Sequence, residues 1–450
     1  MAYEAEAGDI SIALVGDSMI NRRLTGFREP EYLAMVELLQ SADLSLTNLE
    51  TQINEFEPSW AQKPNSVSWQ VGPESSLDDL KWMGFSAMNV ANNHSYDYSE
   101  QGFQTTLRHL HERGIATFGG GSNLDEARAP ALLDLPNGRV AVMGGSTTFS
   151  DQSQAGAARP DFPGKPGINA LHHERVHHVP KEALDALRAA KEGLGYKEYD
   201  LAHRAFHPHR YGTYDDTTEV SLLGETFRLA DDYDITTSFS AEDMAGIEGW
   251  IRSARETADW LIYSVHCHES GRTGEIFEVH RESPPDFLVE FAHWTIDQGC
   301  SLFVGHGPHI LRGIEIYQGK PILYSLGNFI FHNETVQRQP EPAYRRQQLD
   351  YTSTPGDWSA ARSGHGAYGF PATPVFFRSV VAVCNYSGGE LEEVRLHPIE
   401  LGFGQPTSQR GRPTLATPEV GAEILAWLQR VSEPFGTRID VEDGVGVIRV

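Results

Sequence analysis

The chain has 450 residues, with 36 lysines and arginines against 62 aspartates and glutamates, so its formal net charge is −26 at pH 7. This acidic balance argues against nucleic acid or an anionic membrane as the main partner. Three scattered cysteines are too few for a disulfide framework or a zinc knuckle, so we expect buried, reduced thiols.

The N-terminal stretch is acidic and has no basic region followed by an apolar one, which does not match a signal peptide. No apolar run in the sequence approaches the length that crosses a membrane. We therefore expect a soluble, cytoplasmic protein without a membrane span.

The spacing of apolar residues predicts strands and helices in alternation over the first third of the chain. In order, these are a strand near 10–16, a helix at 31–39, a strand at 44–49, an irregular loop at 53–73, a helix at 73–83, a strand at 85–91, a helix at 99–113, a strand ending at 118 and a strand at 139–143. Residues from about 150 to 240 break the alternation, and we predict an insertion there with one helix near 181–192.

Regular order resumes after the insertion. We predict a helix at 241–257, a strand ending at His266, a helix at 285–298, a strand ending at His306, a hairpin turning at Gln318-Gly319, a surface loop at 332–372, strands near 376–384 and 391–397, a helix at 418–431 and a strand at 445–450.

Five of these strands end in residue types that bind metals. The polar groups are Asp17 after the first strand, Asn48 and Glu50 after the second, Asn92, Asn93 and His94 after the third, His266 and His268 after the fourth, and His306 and His309 after the fifth. Glycine and proline around the last pair exclude a helix there. In open α/β sheets, ligands bind outside the carboxyl ends of the strands.

The motifs that carry these residues stand in one order along the chain. They are Gly16-Asp-Ser-Met19, Asn48-Leu-Glu50, Asn92-Asn-His-Ser-Tyr-Asp97, His266-Cys-His-Glu269 and Gly305-His-Gly-Pro-His309. Together they resemble the calcineurin-like metallophosphoesterase superfamily, and more closely its CapA branch, the poly-γ-glutamate capsule synthesis protein family. The resemblance spans about residues 10–400. It implies an α/β fold, a four-layer α/β/β/α sandwich of the metallophosphoesterase type, with loop insertions over the strand ends.

This resemblance also implies a domain organisation. We predict one CapA-like domain over residues 1–412, with the insertions at about 150–240 and 332–372. Residues 413–450 would form a C-terminal extension of one helix and one strand that packs on this domain.

Carried over residue by residue, the resemblance implies two metal positions. The expected ligands are Asn93, His266 and His306 at one position, Asp17 and His309 at the other, and Glu50 as the bridge between them. Such oxygen and imidazole donors suit Mn, Zn or Fe. The histidine that the superfamily has two residues after Asp17 is Met19 here, a soft ligand for such ions. One tightly held ion is therefore our hypothesis, with two ions as the alternative.

His94 matches the general acid of the superfamily, and Asp97 three residues later could fix its tautomer. Asp17 and His309 are further catalytic candidates, because acid–base chemistry needs such side chains on opposite faces of a reacting carbon. The candidate substrate-binding residues are Arg22, Asn48, His268, Glu269 and Asn328.

The leading hypothesis is a metal-dependent enzyme that acts on a peptide or a poly-γ-glutamate-like amide. One alternative is a peptide epimerase that uses Asp/His acid–base chemistry at a Cα in natural-product biosynthesis. The others are a metallophosphoesterase and a non-catalytic binding protein in capsule assembly. A serine esterase of the GDSL type would use Ser18, but we find no Asp-x-x-His after residue 300 to complete it.

Overall fold

The computed structural model describes residues 8–55, 60–61, 68–210, 214–276 and 281–450. Residues 1–7, on which the expectation of no signal peptide rests, lie outside this part, as do sections of the predicted loop at 53–73. Within the described ranges, no helix combines the length and the apolar character that spanning a bilayer requires.

Strands and helices alternate in the first third of the chain, as the apolar spacing predicts. The strands are β1 (Ile10–Met19), β2 (Leu44–Leu49), β3 (Gln52–Ile53), β4 (Val71–Gly72), β5 (Ala87–Asn89), β6 (Ala116–Phe118), β7 (Gly120–Gly121), β8 (Ala131–Leu135) and β9 (Gly138–Ser146). The helices are α1 (Pro30–Ser41), α2 (Ser75–Trp82), α3 (Ser99–Glu112) and α4 (Leu124–Arg128). Pro30 opens α1 because the first helical position needs no N–H donor.

The insertion after β9 has more regular structure than the sequence predicts. It contains β10 (Gly167–Ile168), β11 (His173–Val179), α5 (Lys181–Gly193), α6 (Tyr196–Phe206), β12 (Glu219–Leu222), β13 (Glu225–Leu229) and β14 (Asp234–Phe239). The helix near 181–192 is confirmed as α5. Four strands form a separate sheet in the order β12-β13-β11-β14. These strands are mostly half-exposed and rich in charged residues and histidine, which hides the alternation that identifies a strand.

The last part of the chain returns to the predicted order. Its elements are α7 (Ala241–Arg255), β15 (Trp260–His266), α8 (Asp286–Asp297), β16 (Leu302–His306), β17 (Ile314–Tyr317), β18 (Lys320–Leu323), β19 (Asn328–Phe331), α9 (Glu341–Arg346), α10 (Pro355–Arg362), β20 (Arg378–Ser387), β21 (Glu390–Glu400), β22 (Thr414–Leu415), α11 (Pro418–Ser432), β23 (Asp440–Glu442) and β24 (Val445–Arg449). Four short 3₁₀ helices lie at Asp151–Ser153, Phe370–Ala372, Pro374–Phe377 and Glu433–Phe435.

Two local predictions in this part have different outcomes. The hairpin turn at Gln318-Gly319 is confirmed, because both residues have positive φ (50° and 73°), as a type I′ turn requires. The surface loop predicted at 332–372 instead folds into α9 and α10, and the Trp358 side chain is buried. A capping box between Thr354 and Asp357 starts α10.

Two sheets face each other at the centre of the fold. The larger has the order β23-β24-β21-β20-β1-β2-β5-β6, with β19 also on β1 and β22 on β21, and the smaller has the order β17-β18-β16-β15-β9-β8. Their facing sides share one apolar core, in which Ile12 and Leu46 of the first sheet join Val142, Ile262 and Val304 of the second. Helices α1–α3 cover the outer face of the first sheet, and α7 and α8 cover that of the second. The fold is the predicted four-layer α/β/β/α sandwich.

The C-terminal residues join the larger sheet. Strands β22 and β24 both pair with β21, and Leu428 of α11 is buried in the core between the sheets. The predicted domain division at residue 412 stays a prediction, and the strands on either side of it are hydrogen-bonded to each other.

The strand ends that carry the polar motifs meet at one edge of the sandwich. Asp17 pairs with Asn48 across the parallel strands β1 and β2, and His266 pairs with His306 across β15 and β16. Gly16 permits this arrangement, because a Cβ at that position would lie 2.0 Å from the carbonyl oxygen of Gly327. The close approach of backbone to backbone therefore sets the position of Asp17.

Candidate metal centre

Asp17 is fully buried and lies between the two sheets' strand ends. Its Oδ1 accepts a hydrogen bond from Asn48 Nδ2 at 2.8 Å, and its Oδ2 accepts one from the Gly307 backbone N–H at 3.1 Å. His309 Nδ1 lies 3.5 Å from Oδ2, and His266 Nδ1 lies 3.7 Å from Oδ1. Burial alone would raise the pKa of the Asp17 carboxyl, but its contacts with His266 and His309 hold that pKa well below the usual range. The side chain is therefore an anion at neutral pH.

Glu50 follows β2 and is also fully buried. Its Oε1 lies 3.8 Å from Nε2 of each of His94, His266 and His268, and its Oε2 lies 3.8 Å from His309 Nδ1. These separations exceed a hydrogen bond. For the three Nε2 atoms, the separation from Glu50 is close to the distance of about 3.4 Å between two ligands of a tetrahedral ion with bonds of about 2.1 Å.

Two groups of three side chains could each hold a metal ion. In each group, one ligand atom from every side chain lies within 4.8 Å of the others. The groups are Asp17, Glu50 and His266, and Glu50, His268 and His309. Glu50 belongs to both.

Burial favours the neutral, metal-binding form of three imidazoles in this centre, those of His266, His268 and His306. Burial lowers the pKa of His266, it lowers that of His268 well below the usual range, and it lowers that of His306 to about 4. Only neutral imidazole binds a metal. Nε2 of His266, Nε2 of His268 and Nδ1 of His306 are buried and have no hydrogen-bond partner among the described residues. Buried polar atoms are nearly always satisfied, and a divalent ion at this place would satisfy them.

The remaining predicted ligands lie at the same edge. His306 Nδ1 is 4.0 Å from Asp17 Oδ1. Asn93 lies next to His94 in the turn after β5, and its side-chain oxygen is buried. Five of the six predicted metal ligands are thus joined by contacts of 4.0 Å or less, and their role as ligands stays a prediction.

His94 is held by a carboxylate behind it. Its Nδ1 lies 2.5 Å from Asp97 Oδ2, which also accepts a hydrogen bond from the Gln70 backbone N–H at 2.7 Å. A carboxylate only accepts hydrogen bonds, so His94 Nδ1 donates and His94 Nε2 faces Glu50. This geometry fits a group that gives or takes a proton at Nε2.

The family model described as "Bacterial capsule synthesis protein PGA_cap" matches residues 11–333. The chain belongs to this family. It is 36% identical over 452 residues to "Uncharacterized protein y4sH" of Sinorhizobium fredii, covering 98% of this chain and 93% of that protein. It is 23% identical over 329 residues to "PGA biosynthesis protein CapA" of Bacillus subtilis, covering 72% and 63%. A solved structure of a novel phosphatase from Mycoplasma pneumoniae aligns with 9% identity and a TM-score of 0.37, covering 88% of this chain and 94% of that one.

Asn48 and Asn328, predicted to bind substrate in this PGA_cap chain, are fully buried beneath the ligand cluster. Asn48 Oδ1 accepts hydrogen bonds from Asn89 and Asn92, which directs its Nδ2 toward Asp17. Asn328 Oδ1 lies 2.9 Å from His309 Nδ1. The geometry favours a role in orienting the ligands over the predicted contact with substrate.

Arg22 and Glu269, also predicted to bind substrate, contact other parts of this PGA_cap chain. Arg22 donates to the backbone carbonyls of Thr407, Ser408 and Arg410. Glu269 Oε2 accepts hydrogen bonds from the hydroxyls of Thr147 and Thr148 at 2.7 and 2.8 Å. Both side chains hold loops in place, while the fifth predicted residue, His268, lies among the ligands.

The sequence analysis overlooked Arg312, which is fully buried. Its Nη2 donates to the Glu269 carbonyl and to Ser270 Oγ, both at 2.7 Å, and its Nε donates to the Arg281 carbonyl at 3.0 Å. Arg312 therefore clamps the loop that follows His266. The sequence does contain a signal for this residue, because Arg312 comes directly after the apolar residues Ile310 and Leu311, which follow the Gly305-His-Gly-Pro-His309 motif.

A cavity of about 500 Å³ lies beside the cluster in this PGA_cap chain and was not predicted. Residues that line it include Arg281, Asn333, Glu334, Arg362, Phe370 and Phe376. Its wall reaches the cluster on two sides. The Phe370 ring centroid is 5.6 Å from that of His309, and Asn333 Oδ1 accepts from Gln70, whose backbone holds Asp97. Glu334 is paired with Arg410 at 2.7 Å, and the guanidinium of Arg362 also lines this cavity.

Proposed function

We propose that this PGA_cap chain is a metal-dependent enzyme that acts on an amide bond of a peptide or a poly-γ-glutamate-like substrate. The observation that carries the proposal is the convergence of Asp17, Glu50 and His266, with ligand atoms within 4.8 Å of one another, next to His94. A divalent Mn, Zn or Fe ion held there supplies Lewis-acid stabilisation to an amide carbonyl.

The chain's own residues supply binding, orientation and proton transfer. In hydrolysis, the oxygen of water bonds to the carbonyl carbon, the C–N bond breaks, and the departing nitrogen takes a proton. His94 Nε2 faces the cluster and is the group that delivers this proton, while Asp97 at 2.5 Å stabilises the imidazolium that precedes delivery. Asn48 and Asn328 keep Asp17 and His309 in place.

The residues that line the cavity beside His309 favour an acidic, peptide-like substrate. Arg281 and Arg362 line it, and arginine pairs well with carboxylates because its donors match both oxygens. Phe370 and Phe376 line another part of the cavity, where the methylene groups of such a chain would pack. The amide between two carboxylate-bearing residues would then lie toward His94 and His309.

Phosphoester hydrolysis is the second candidate. It is favoured by one observation, that Glu50 is common to both groups of potential ligands, since two ions that share a carboxylate serve phosphatases as well as peptidases. Epimerisation at a Cα has less support. Asp17 is fully buried and hydrogen-bonded to Asn48 and Gly307, an arrangement that suits a ligand better than an acid–base group.

The test is an assay for newly formed amines after incubation of the protein with a γ-linked glutamate oligomer and added Mn, Zn or Fe. We expect His94→Gln to reduce the rate by about 10²–10⁴-fold, because general acid catalysis contributes that much. The matched control is His293→Gln. His293 lies on α8, outside the metal centre, where its ring stacks on Tyr317 and its Nε2 contacts the Glu315 carboxylate.

Three outcomes separate the candidates. Amines released by the wild type and lost in the His94 variant support amide hydrolysis. No amine with any metal, together with hydrolysis of an aryl phosphate, would favour the phosphoesterase. Deuterium uptake at a substrate Cα in heavy water, without new amines, would favour the epimerase.

A further inference from the structure

The C-terminal end of β1 carries one candidate ligand of the centre, Asp17. Met19 stands two residues after Asp17, but its side chain is buried in an apolar cluster with Phe331, Phe377 and Leu401. The pairing of β1 with β19 shifts register between Asp17 and Ser18. Met19 therefore packs against phenylalanine rings, and its sulfur takes no part in the centre.

His268 comes from a different strand end and faces the centre. It lies two residues after His266, and alternation along an extended chain puts both side chains on the same side. Cys267 between them packs into the core on the helix side, as predicted. The backbone N–H of His268 donates to Thr148 Oγ1 at 2.9 Å, which fixes the loop that carries it.

The contacts of His268 are those of a ligand rather than of a packed core residue. Its Nε2 lies 3.8 Å from Glu50 Oε1, and its ring centroid is 5.1 Å from that of His309. The same nitrogen is buried and has no hydrogen-bond partner within the described part of the chain. A buried histidine with a structural role would normally use both ring nitrogens.

We infer that His268 forms, with Glu50 and His309, a second cation position, in place of the ligand that Met19 does not provide. The ligand atoms of these three side chains lie within 4.8 Å of one another. Two imidazoles and one carboxylate are a donor set that binds Zn with an open coordination position. Because Glu50 also belongs to the group with Asp17 and His266, its carboxylate lies between the two positions. This inference rests on the proposed metal-dependent function.

The experiment counts ions and does not depend on activity. Protein stripped with a chelator is reloaded with zinc chloride and dialysed, and zinc per chain is measured by elemental mass spectrometry. In place of the single ion that the sequence analysis expects, we expect two zinc ions per chain in the wild type and in the control His293→Gln, and one in His268→Gln. His268→Cys should restore the second ion, because thiolate also binds zinc. Circular dichroism and the thermal midpoint check that each variant folds.

A spectroscopic readout with Mn²⁺ tests the shared carboxylate. Two Mn²⁺ ions that shared the Glu50 carboxylate would be magnetically coupled, and we expect such a coupled signal from the wild type. We expect His268→Gln to give the signal of isolated Mn²⁺ instead. A merely structural role for His268 would change the thermal midpoint and leave the coupled signal intact.

The possible failures are distinguishable. Two ions retained in a folded His268→Gln variant would overturn the inference, as would a single ion in the wild type that the variant retains. Both results leave the first position, and with it the proposed metal-dependent function, standing. A wild type that binds no ion would overturn the inference and the proposed function together.

Discussion

Asn48 donates from Nδ2 to Oδ1 of Asp17 at 2.8 Å, and the same nitrogen lies 3.1 Å from Nδ1 of His266. One amide group thus contacts ligands that come from both sheets of the sandwich. Its orientation is fixed from behind, because its oxygen accepts from Asn89 and Asn92. Asn48 therefore sets the relative position of two of the predicted metal ligands, Asp17 and His266.

Replacing this amide should weaken metal binding. We expect Asn48→Ala to reduce metal affinity by about 10–100-fold, the usual effect of losing a group that orients a ligand. Competition with a chromogenic chelator measures the affinity. Asn137→Ala is the matched control, since Asn137 only donates to the Asp9 carbonyl at the surface. Equal affinities in the two variants would contradict the orienting role.

Arg312 should matter for stability. It is fully buried and donates to the carbonyls of Glu269 and Arg281, and Arg312→Met removes these buried hydrogen bonds. We expect a loss of about 3 kcal/mol in the free energy of unfolding, measured with urea. Arg430→Met is the control, because Arg430 is largely exposed and should cost less than about 1 kcal/mol. Similar losses of unfolding free energy in the two variants would contradict a particular stabilising role for Arg312.

Gly307 should tolerate no side chain. Its φ is 116°, and a Cβ there would lie 2.8 Å from the Cys267 carbonyl carbon. We expect Gly307→Ala to cost about 3 kcal/mol and to lower metal content, because the residue stands between His306 and His309. Gly193→Ala is the control, since nothing lies within 4 Å of its Cβ position in α5. An unchanged thermal midpoint in Gly307→Ala would refute this prediction.

The metal-free protein should lose stability in mild acid. Burial lowers the pKa of His306 to about 4, whereas a histidine in the unfolded chain titrates near about 6.5. Between these values the unfolded state binds more protons, so the free energy of unfolding falls as the pH drops, by about 3 kcal/mol at pH 4 for this imidazole. Urea unfolding across this range measures the slope. His306→Asn should flatten it, and an equal slope in the variant would rule out His306 as the cause.

Arg362 should affect the binding of acidic substrates. It lines the cavity with its guanidinium 5.3 Å from the Trp358 ring centroid. If the reaction proposed here is detected, we expect Arg362→Gln to raise KM about tenfold for a glutamate oligomer, equivalent to about 1.4 kcal/mol, with kcat little changed. Arg345→Gln, an exposed position on α9, is the control. An equal rise in KM for an uncharged amide analogue would show that the charge is not being recognised.

The sequence predicts the layers and the strand ends well, for a physical reason. Strands such as Trp260–His266 are buried along their whole length, so they appear as continuous apolar runs, and the residue after each run must lie at the sheet edge. The sequence does not show how deeply each of these polar residues is buried. Asn48 near the end of β2 and Asn328 at the start of β19 are fully buried, whereas His94 keeps a small exposed fraction, and only the packing of the two sheets decides this difference.

The cavity escaped prediction for a related reason. Arg281 and Arg362 are about eighty residues apart, and each stands in a polar stretch without strand or helix periodicity. Their proximity depends on α9 and α10, short helices that are stabilised by burying Trp358 rather than by an extended apolar pattern. The four-stranded sheet of the insertion was missed because its strands are half-exposed.

The pairing of β1 has a consequence for how the protein is made. Asp17 pairs with Asn328, and Leu14 pairs with Ala382, so β1 pairs not only with β2 but also with strands that are translated more than three hundred residues later. Such distant pairing slows folding and leaves apolar strands open to aggregation in the meantime. Asp17 and His309 can meet only after most of the chain has been synthesised. Any metal that this centre binds would therefore be captured late in the synthesis of the chain.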